Sequence, residues 1–285
     1  MVSQDGRDRV FCNVTPADAK IAFNSLRSKS GPIPVKLNPH LIEGTFVARL
    51  NRFAALVRVQ GQETVAHVAN SGRLQELFRE GTRILLTPVA PHPGRKTLYD
   101  LSLVDLGHTL VSADARLPNG LVYEALKSDK LPEFQGYGEI LREKTFEDSR
   151  LDFLLLDGVR RCYVEVKSVT LVTDGVALFP DAPTTRGQRH VGTLAHAVQQ
   201  GWRAAVVFVV QRGDAEALAP NDTADPAFGK ALRSAHQSGV EVYAYGCKIS
   251  RRSITLAGRL NVLLGEAPGP QVPDTGAGEV EIPNQ

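Results

Sequence analysis

Ser149-Arg150-Leu151-Asp152-Phe153-Leu154-Leu155-Leu156, followed by Cys162-Tyr163-Val164-Glu165-Val166-Lys167-Ser168-Val169, is the stretch that decides the fold. Two short strands read out of it, joined by a turn at Asp157-Gly158. Side chains alternate along a strand, so Glu165 and Lys167 share one face while Val164, Val166 and Ser168 share the other. A hairpin can bring Asp152, near the start of the first strand, beside that polar pair. Taken alone, Glu-x-Lys on a strand is most often a solvated ion pair. Here apolar residues flank each acid, which places both acids in core-like strands. Burying unpaired carboxylates is costly, and a cation is one way to offset it. Oxygen-only ligands suit a hard cation, so the pattern points to Mg2+ or Mn2+ and a water nucleophile.

Working outward, the flanking segments alternate between helix and strand. Leu121–Lys127 reads as a short helix and Glu139–Phe146 as a strand ahead of the hairpin. Thr170–Arg186 reads as loop, with turn residues at Asp174-Gly175 and Pro180-Asp181-Ala182-Pro183. An amphipathic helix follows over Gly187–Gln200, ended by Gly201. Arg203–Gln211 is apolar on both faces and belongs mid-sheet. A helix over Pro226–Ser238, a strand over Val240–Tyr245 and an edge element over Ile249–Leu256 complete the unit. The order predicts an α/β (α+β) mixed sheet flanked by helices over residues 107–265.

Residues 40–106 are all-β in pattern, with strands at Gly44–Leu50, Ala54–Val59, Glu63–Val68, Arg83–Val89 and Thr97–Leu106. Five short strands in this span suggest a small barrel of the oligonucleotide-binding type, whose basic loops track phosphates. Arg49, Arg52, Arg58, Arg73, Arg95 and Lys96 are the candidate contacts. Any one of them is otherwise an ordinary solvated surface charge. Aromatics for base stacking are few, and most of Phe46, Phe53, Phe78 and Tyr99 read as core.

Residues 1–39 read as a partly disordered extension, with a short helix over Pro16–Leu26. Residues 266–285 read as a disordered acidic tail carrying Glu266, Asp274, Glu279 and Glu281 and no Lys or Arg. The formal charge of +2 rises to +6 on residues 1–265 once those four acids are set aside. A mildly basic body is compatible with a polyanionic partner. Cys12, Cys162 and Cys247 have neither a pairing pattern nor zinc-ligand spacing, which argues for a reducing compartment. No apolar run is long enough to span a membrane, and residues 1–30 lack a signal-peptide core. A cytoplasmic location is the expectation.

The spacing Asp152…Glu165-Val166-Lys167 in an αβββαβ order resembles the catalytic core of the restriction-endonuclease-like, PD-(D/E)xK, nucleases. More closely, the chain resembles the sugar fermentation stimulation protein A family of bacteria and archaea. Asn70-Ser71-Gly72, Leu117-Pro118-Asn119, Ser149–Leu155, Cys162–Leu171, Phe179–His190, Val210-Gln211-Arg212 and Gly239–Val242 carry the resemblance, which covers about residues 40–250. Ser71 stands where the family usually shows threonine. The resemblance implies a nucleic-acid-binding barrel joined to a metal-dependent nuclease domain. Asp152 and Glu165 would bind the metal, and Lys167 would activate water and steady the scissile phosphate. Glu124, on the first helix, would add a third metal ligand, with Glu139 a weaker candidate for that place. Gln188 would face the catalytic centre from the helix that follows, where the helix N-terminus favours phosphate. Arg186 and Arg189 would reach the nucleic-acid backbone.

Two functions fit. One is an Mg2+- or Mn2+-dependent phosphodiesterase acting on DNA or RNA. The other is a DNA-binding regulator of sugar metabolism that keeps a nuclease fold without turnover. The intact set Asp152, Glu165 and Lys167 favours the enzyme. The late edge strand could also pair with a second copy, giving a homodimer.

Overall fold

The structure, a computed structural model, describes residues 33–265. The helix read over Pro16–Leu26 and the acidic tail lie outside the described residues. A short first strand, β1 (Val35–Lys36), precedes the barrel strands β2 (Ile42–Asn51), β3 (Ala54–Val59), β4 (Gln62–His67), β5 (Arg83–Pro88), β6 (Tyr99–Asp105) and β7 (Leu110–Ser112). Alternation along β3, with Ala55, Val57 and Val59 buried, turns one face inward. The order is β4-β3-β2-β5-β6-β7, and a parallel pairing of β4 with β6 (Ala66↔Tyr99, His67↔Asp100) closes β2 to β6 into a five-stranded barrel. Phe46 and Phe78 stack at 4.9 Å within this core. The segment from Ser71 to Glu80 forms turns, with no helix.

Beyond the barrel run helix α1 (Leu117–Lys127), strands β8 (Glu139–Phe146), β9 (Ser149–Asp157), β10 (Arg160–Val169), β11 (Val172–Thr173) and β12 (Val176–Phe179), and helix α2 (Thr185–Gln199). Strand β13 (Arg203–Val210), β14 (Ala217–Pro220), helix α3 (Pro226–Gln237), β15 (Glu241–Ile249), β16 (Ser253–Arg259) and β17 (Asn261–Val262) follow. Seven strands form a mixed sheet in the order β1-β16-β15-β13-β10-β9-β8. Strands β10, β13 and β15 are parallel, and the outer pairs are antiparallel. Every residue of β13 from Ala204 to Val210 is buried, as a central strand covered on both faces requires. One face packs on α1 through Phe153, Cys162, Val164 and Val166. The other packs on α2 and α3 through Tyr163, Val206 and Phe208.

Three expectations change. Residues 33–39 are not a detached extension: β1 pairs with β16, and Leu37 N donates to Arg252 O at 2.9 Å. Strand β16, read as an edge, is therefore flanked on both sides, so the argument for pairing with a second copy through it loses its basis. The span Thr170–Arg186 holds β11 and β12, which join β14 and β17 in a second, four-stranded sheet. Strands of two to four residues leave no periodicity to read.

The barrel docks on the sheet domain through the 71–74 turn. Asp181 Oδ2 accepts from Leu74 N at 3.1 Å, across 107 residues of chain. A Cβ on Gly72 would lie 2.5 Å from Asp181 Oδ2 and 3.1 Å from Asn70 Oδ1, so only glycine allows this approach. Gly72→Ala is expected to destabilise the protein by about 1–3 kcal/mol. Adding Asp181→Ala should recover part of that loss, a coupling that thermal melts of the two single variants and the double variant would detect.

Candidate active site

Strand β9 leaves β10 as it approaches its start: their register runs from Arg160↔Asp157 only as far as Val164↔Phe153. The N–H of Val166 would then be orphaned, and Asp152 Oδ2 accepts it at 2.7 Å. Asp152 Oδ1 accepts from Asn119 Nδ2, in the first turn of α1, at 2.6 Å. A carboxylate thus stands where a strand ladder stops, held by a backbone amide and a helix side chain.

Glu165 and Lys167 lie on the opposite face of β10 from Val164 and Val166, as alternation predicts. Glu165 is 4% exposed. Its Oε1 accepts from Lys167 Nζ at 2.7 Å and from His190 Nδ1. Its Oε2 is buried and takes no hydrogen bond among the described residues. Burial alone would raise the Glu165 carboxyl, but the bonds from His190 and Lys167 outweigh it and hold the group below its usual range. Asp152 moves the other way. Burial first, and then the negative charge of Glu165, push its carboxyl up to about 6. The two acids are therefore close enough to repel, and one buried oxygen of Glu165 lacks a donor among the described residues. That arrangement can accept a hard divalent cation, which would relieve both the repulsion and the orphaned atom.

The structure brings Asp152, Glu165 and Lys167 together and leaves other expected members out. Glu124 sits five residues beyond Asn119, about 140° round the helix at 3.6 residues per turn. It is half-buried, and its carboxylate makes no hydrogen bond or ion pair among the described residues. No group of three or more His, Cys, Asp or Glu side chains there is arranged to hold a metal. Glu139 is exposed at the start of β8. Gln188 turns away: its Nε2 donates to Asp225 Oδ1 and Oδ2 at 3.1 and 3.2 Å. Asp225 also caps α3 through Phe228 N, so Gln188 braces one helix against another.

His190 takes the place that Gln188 was expected to fill. It is 2% exposed, with Nδ1 on Glu165. The stripe Gly187, His190, Val191, Thr193, Leu194 and Ala197 is the buried face of α2. Helical spacing puts Gln188 off that stripe, a signal present in the sequence. Asn119 lies in a stretch singled out above without a role. Cys162 and Cys247 are buried, and burial pushes both thiols up to about 12, which suits inert core residues. His196 pairs with Glu147 at the surface. Arg150 meets exposed Glu143 at 3.6 Å, and Trp202 is half-buried under Arg161.

The basic candidates divide in the same way. Arg49 is committed to the joint: it donates to the carbonyls of Asn51 at 2.8 Å, Asn70 at 3.1 Å and Gly72 at 3.3 Å, and lies 4.9 Å over the Phe78 ring. Arg58 pairs with Glu63 at 2.8 Å and Arg95 with Asp100 at 2.5 Å. Arg52, Arg73 and Lys96 are exposed, with no side-chain partner among the described residues. Arg189 and Arg186 are exposed on the first turns of α2, and Arg186 Nε donates to His190 Nε2 at 3.4 Å. Phe53, beside Arg52, is 49% exposed rather than core.

Known proteins match this chain over both of its parts. The sugar fermentation stimulation protein homolog of Caldanaerobacter subterraneus subsp. tengcongensis is 46% identical over 227 residues, which cover 80% of this chain and 98% of that one. The chain belongs to the sugar fermentation stimulation protein family. The family's RE domain matches residues 116–253, and its N-terminal OB domain matches residues 47–113. The family homolog of Moorella thermoacetica is 46% identical over 231 residues, 81% of this chain and all of that one. Among solved structures, Pyrococcus furiosus SfsA in complex with Ca2+ superposes with a TM-score of 0.75 at 31% identity, covering 82% of this chain and 100% of that one. No helix among the described residues is long and apolar enough to cross a membrane.

Proposed function

We propose that this family member is a nucleic-acid-binding phosphodiesterase that hydrolyses DNA or RNA with Mg2+ or Mn2+. The barrel, residues 40–106, holds the nucleic acid, and residues 107–265 cut it. The observation that carries the reading is the buried Oε2 of Glu165, without a donor among the described residues, on a carboxylate that binds Lys167 through Oε1 and raises the Asp152 carboxyl by its charge. The solved Pyrococcus furiosus relative is described in complex with Ca2+, a hard cation of the kind such oxygens accept. Asp152 and Glu165 would hold the cation, which when bound supplies Lewis-acid stabilisation of charge on the phosphate. Asn119 and the Val166 amide orient Asp152. Lys167, tethered to Glu165, would present its ammonium to the phosphate oxygens, steadying their charge and orienting the attacking water by donating to it. A cytoplasmic location fits such a role.

A direct test is cleavage of labelled single- and double-stranded DNA and RNA with added Mg2+ or Mn2+, comparing wild type with Asp152→Ala and Lys167→Ala. Both variants should lose the metal-dependent activity. Equal cleavage by all three proteins would identify a contaminant and sink the assignment. Binding without turnover is the second reading, favoured by the lack of a third acidic ligand among the described residues. It predicts nucleic-acid affinity with no cleavage in any protein.

The barrel reading now rests on Arg52, Arg73, Lys96 and the exposed Phe53. Arg52→Ala with Arg73→Ala is expected to lower affinity and to reduce the salt slope of binding by about 2, roughly one for each lost phosphate contact. Fluorescence anisotropy across a salt series measures this, and an unchanged slope would rule the two arginines out as phosphate contacts.

A further inference from the structure

Glu165 has an asymmetric carboxylate. Oε1 takes two donors, Lys167 Nζ at 2.7 Å and His190 Nδ1, and the buried Oε2 takes none. His190 is itself nearly inaccessible, and its second nitrogen faces Arg186 Nε at 3.4 Å. An arginine can only donate, so His190 Nε2 is the acceptor. A neutral ring then carries its proton on Nδ1, directed at Glu165 Oε1. The chain Arg186, His190, Glu165 therefore settles the tautomer, and the tautomer settles which carboxylate oxygen is occupied.

We propose that His190, oriented by Arg186, is a positioning residue that saturates Oε1 of Glu165 and reserves Oε2 for a hard divalent cation. This rests on the phosphodiesterase reading above. A carboxylate held by one donor can rotate about its last bond and exchange its two oxygens. Two donors converging on Oε1 from different elements, strand β10 and helix α2, oppose that rotation. Oε2 has no donor among the described residues. Partners of this kind, which support a metal ligand without touching the metal, commonly change affinity by about 10–100-fold when removed. Arg186 is exposed, and its remaining N–H groups stay available to a substrate phosphate. The first turn of α2 thereby joins substrate contact to support of the metal ligand.

The test is Mn2+ titration of the full chain without nucleic acid, following the paramagnetic resonance signal of free Mn2+, with cleavage assayed in parallel. His190→Ala is expected to weaken Mn2+ binding by about 10–100-fold. His190→Asn, whose Nδ2 can replace the Nδ1 donor, should recover most of the loss. Arg186→Ala should give a smaller loss and, as a surface change, should leave the fold intact. Wild type that binds Mn2+ and cleaves, with His190→Ala binding equally tightly, overturns this proposal alone. Asparagine no better than alanine overturns the donor role and leaves only space filling. Wild type that takes up no Mn2+ overturns both this proposal and the phosphodiesterase reading. If thermal melts show His190→Ala unfolded, the asparagine and Arg186→Ala variants decide, and wild-type affinity in Arg186→Ala together with a weak His190→Asn overturns it.

Discussion

Asp152→Asn is expected to abolish metal-dependent cleavage and, in the metal-free protein, to raise stability at neutral pH. Loss of activity follows because a neutral amide is a poor ligand for a hard cation. Several kcal/mol of charge stabilisation would go with it, a rate loss on the order of 10³-fold. The stability gain follows from the carboxyl's position. It has an ordinary value of 3.8 and sits at about 6 in the fold. Between those values the unfolded chain is ionised while the folded one retains a proton. Stability therefore falls as pH rises from about 4 to about 6 and stays lowered above that, and the penalty vanishes when both states are protonated. Roughly two units at about 1.4 kcal/mol each set an upper bound of about 3 kcal/mol at neutral pH. Asparagine escapes the penalty. Its Oδ1 can still accept from Val166 N, while the Asn119 amide turns to offer its oxygen. Thermal melts at about pH 7 and about pH 4 check this, with the variant's advantage shrinking at the acid end. A variant less stable than wild type at neutral pH would refute the account of Asp152 as a strained carboxylate. Added Mn2+ should reverse the order, because it stabilises only the form that binds it.

Phe208→Ala is expected to cost about 3–5 kcal/mol, the largest stability effect proposed here. Phe208 is fully buried at the middle of β13. Its ring meets Phe179 edge-on at 5.4 Å, and Phe179 meets Phe228 of α3 at 5.1 Å. The alanine would leave a cavity among three layers: the large sheet, the small sheet ending at Phe179, and α3. Phe208 is also the register partner of Lys167 on the neighbouring strand, so the loss loosens the backbone that carries the candidate site. The melting temperature should fall on the order of 10 °C. By contrast, Phe53→Ala removes an exposed ring and should change stability by less than about 0.5 kcal/mol. A small effect at Phe208 would mean that the two sheets do not share one core.

Much of this architecture is legible in local pattern. Ala54–Val59 and Glu139–Phe146 have the bounds that alternation predicts, and the continuous apolar run of β13 announces a central strand. The meeting of Asp152 with Glu165 and Lys167 follows from a tight turn plus a period of two. What local pattern cannot carry is the choice of partner across long separations. Nothing near Asp181 says that it will accept from Leu74, and nothing near Arg49 says that carbonyls will occupy its guanidinium before a phosphate can. Gln188 and His190 stand two residues apart, and helical geometry lets only one of them face the sheet. The buried stripe of α2 resolves that choice, whereas the position of the helix start does not. Glu124 fails similarly, since its helix presents Asn119 to Asp152 instead.

The pairing of β1 with β16 changes how the chain divides. Strand β1 and six strands drawn from residues 139–259 form the seven-stranded sheet, and the barrel, with β7 paired to its β6, is inserted within that body instead of being strung ahead of it. Both of its ends are anchored: Leu37 bonds Arg252 on one side, and Ser112 N donates to Gln211 O on the other. A module moored at two points cannot swing as a flag does on a single tether. On the proposed phosphodiesterase reading, the distance from the barrel's grip on nucleic acid to the carboxylates would then be a fixed length, with the barrel acting as a ruler. Cutting the chain at residue 106 to isolate the sheet domain would discard the strand that finishes it.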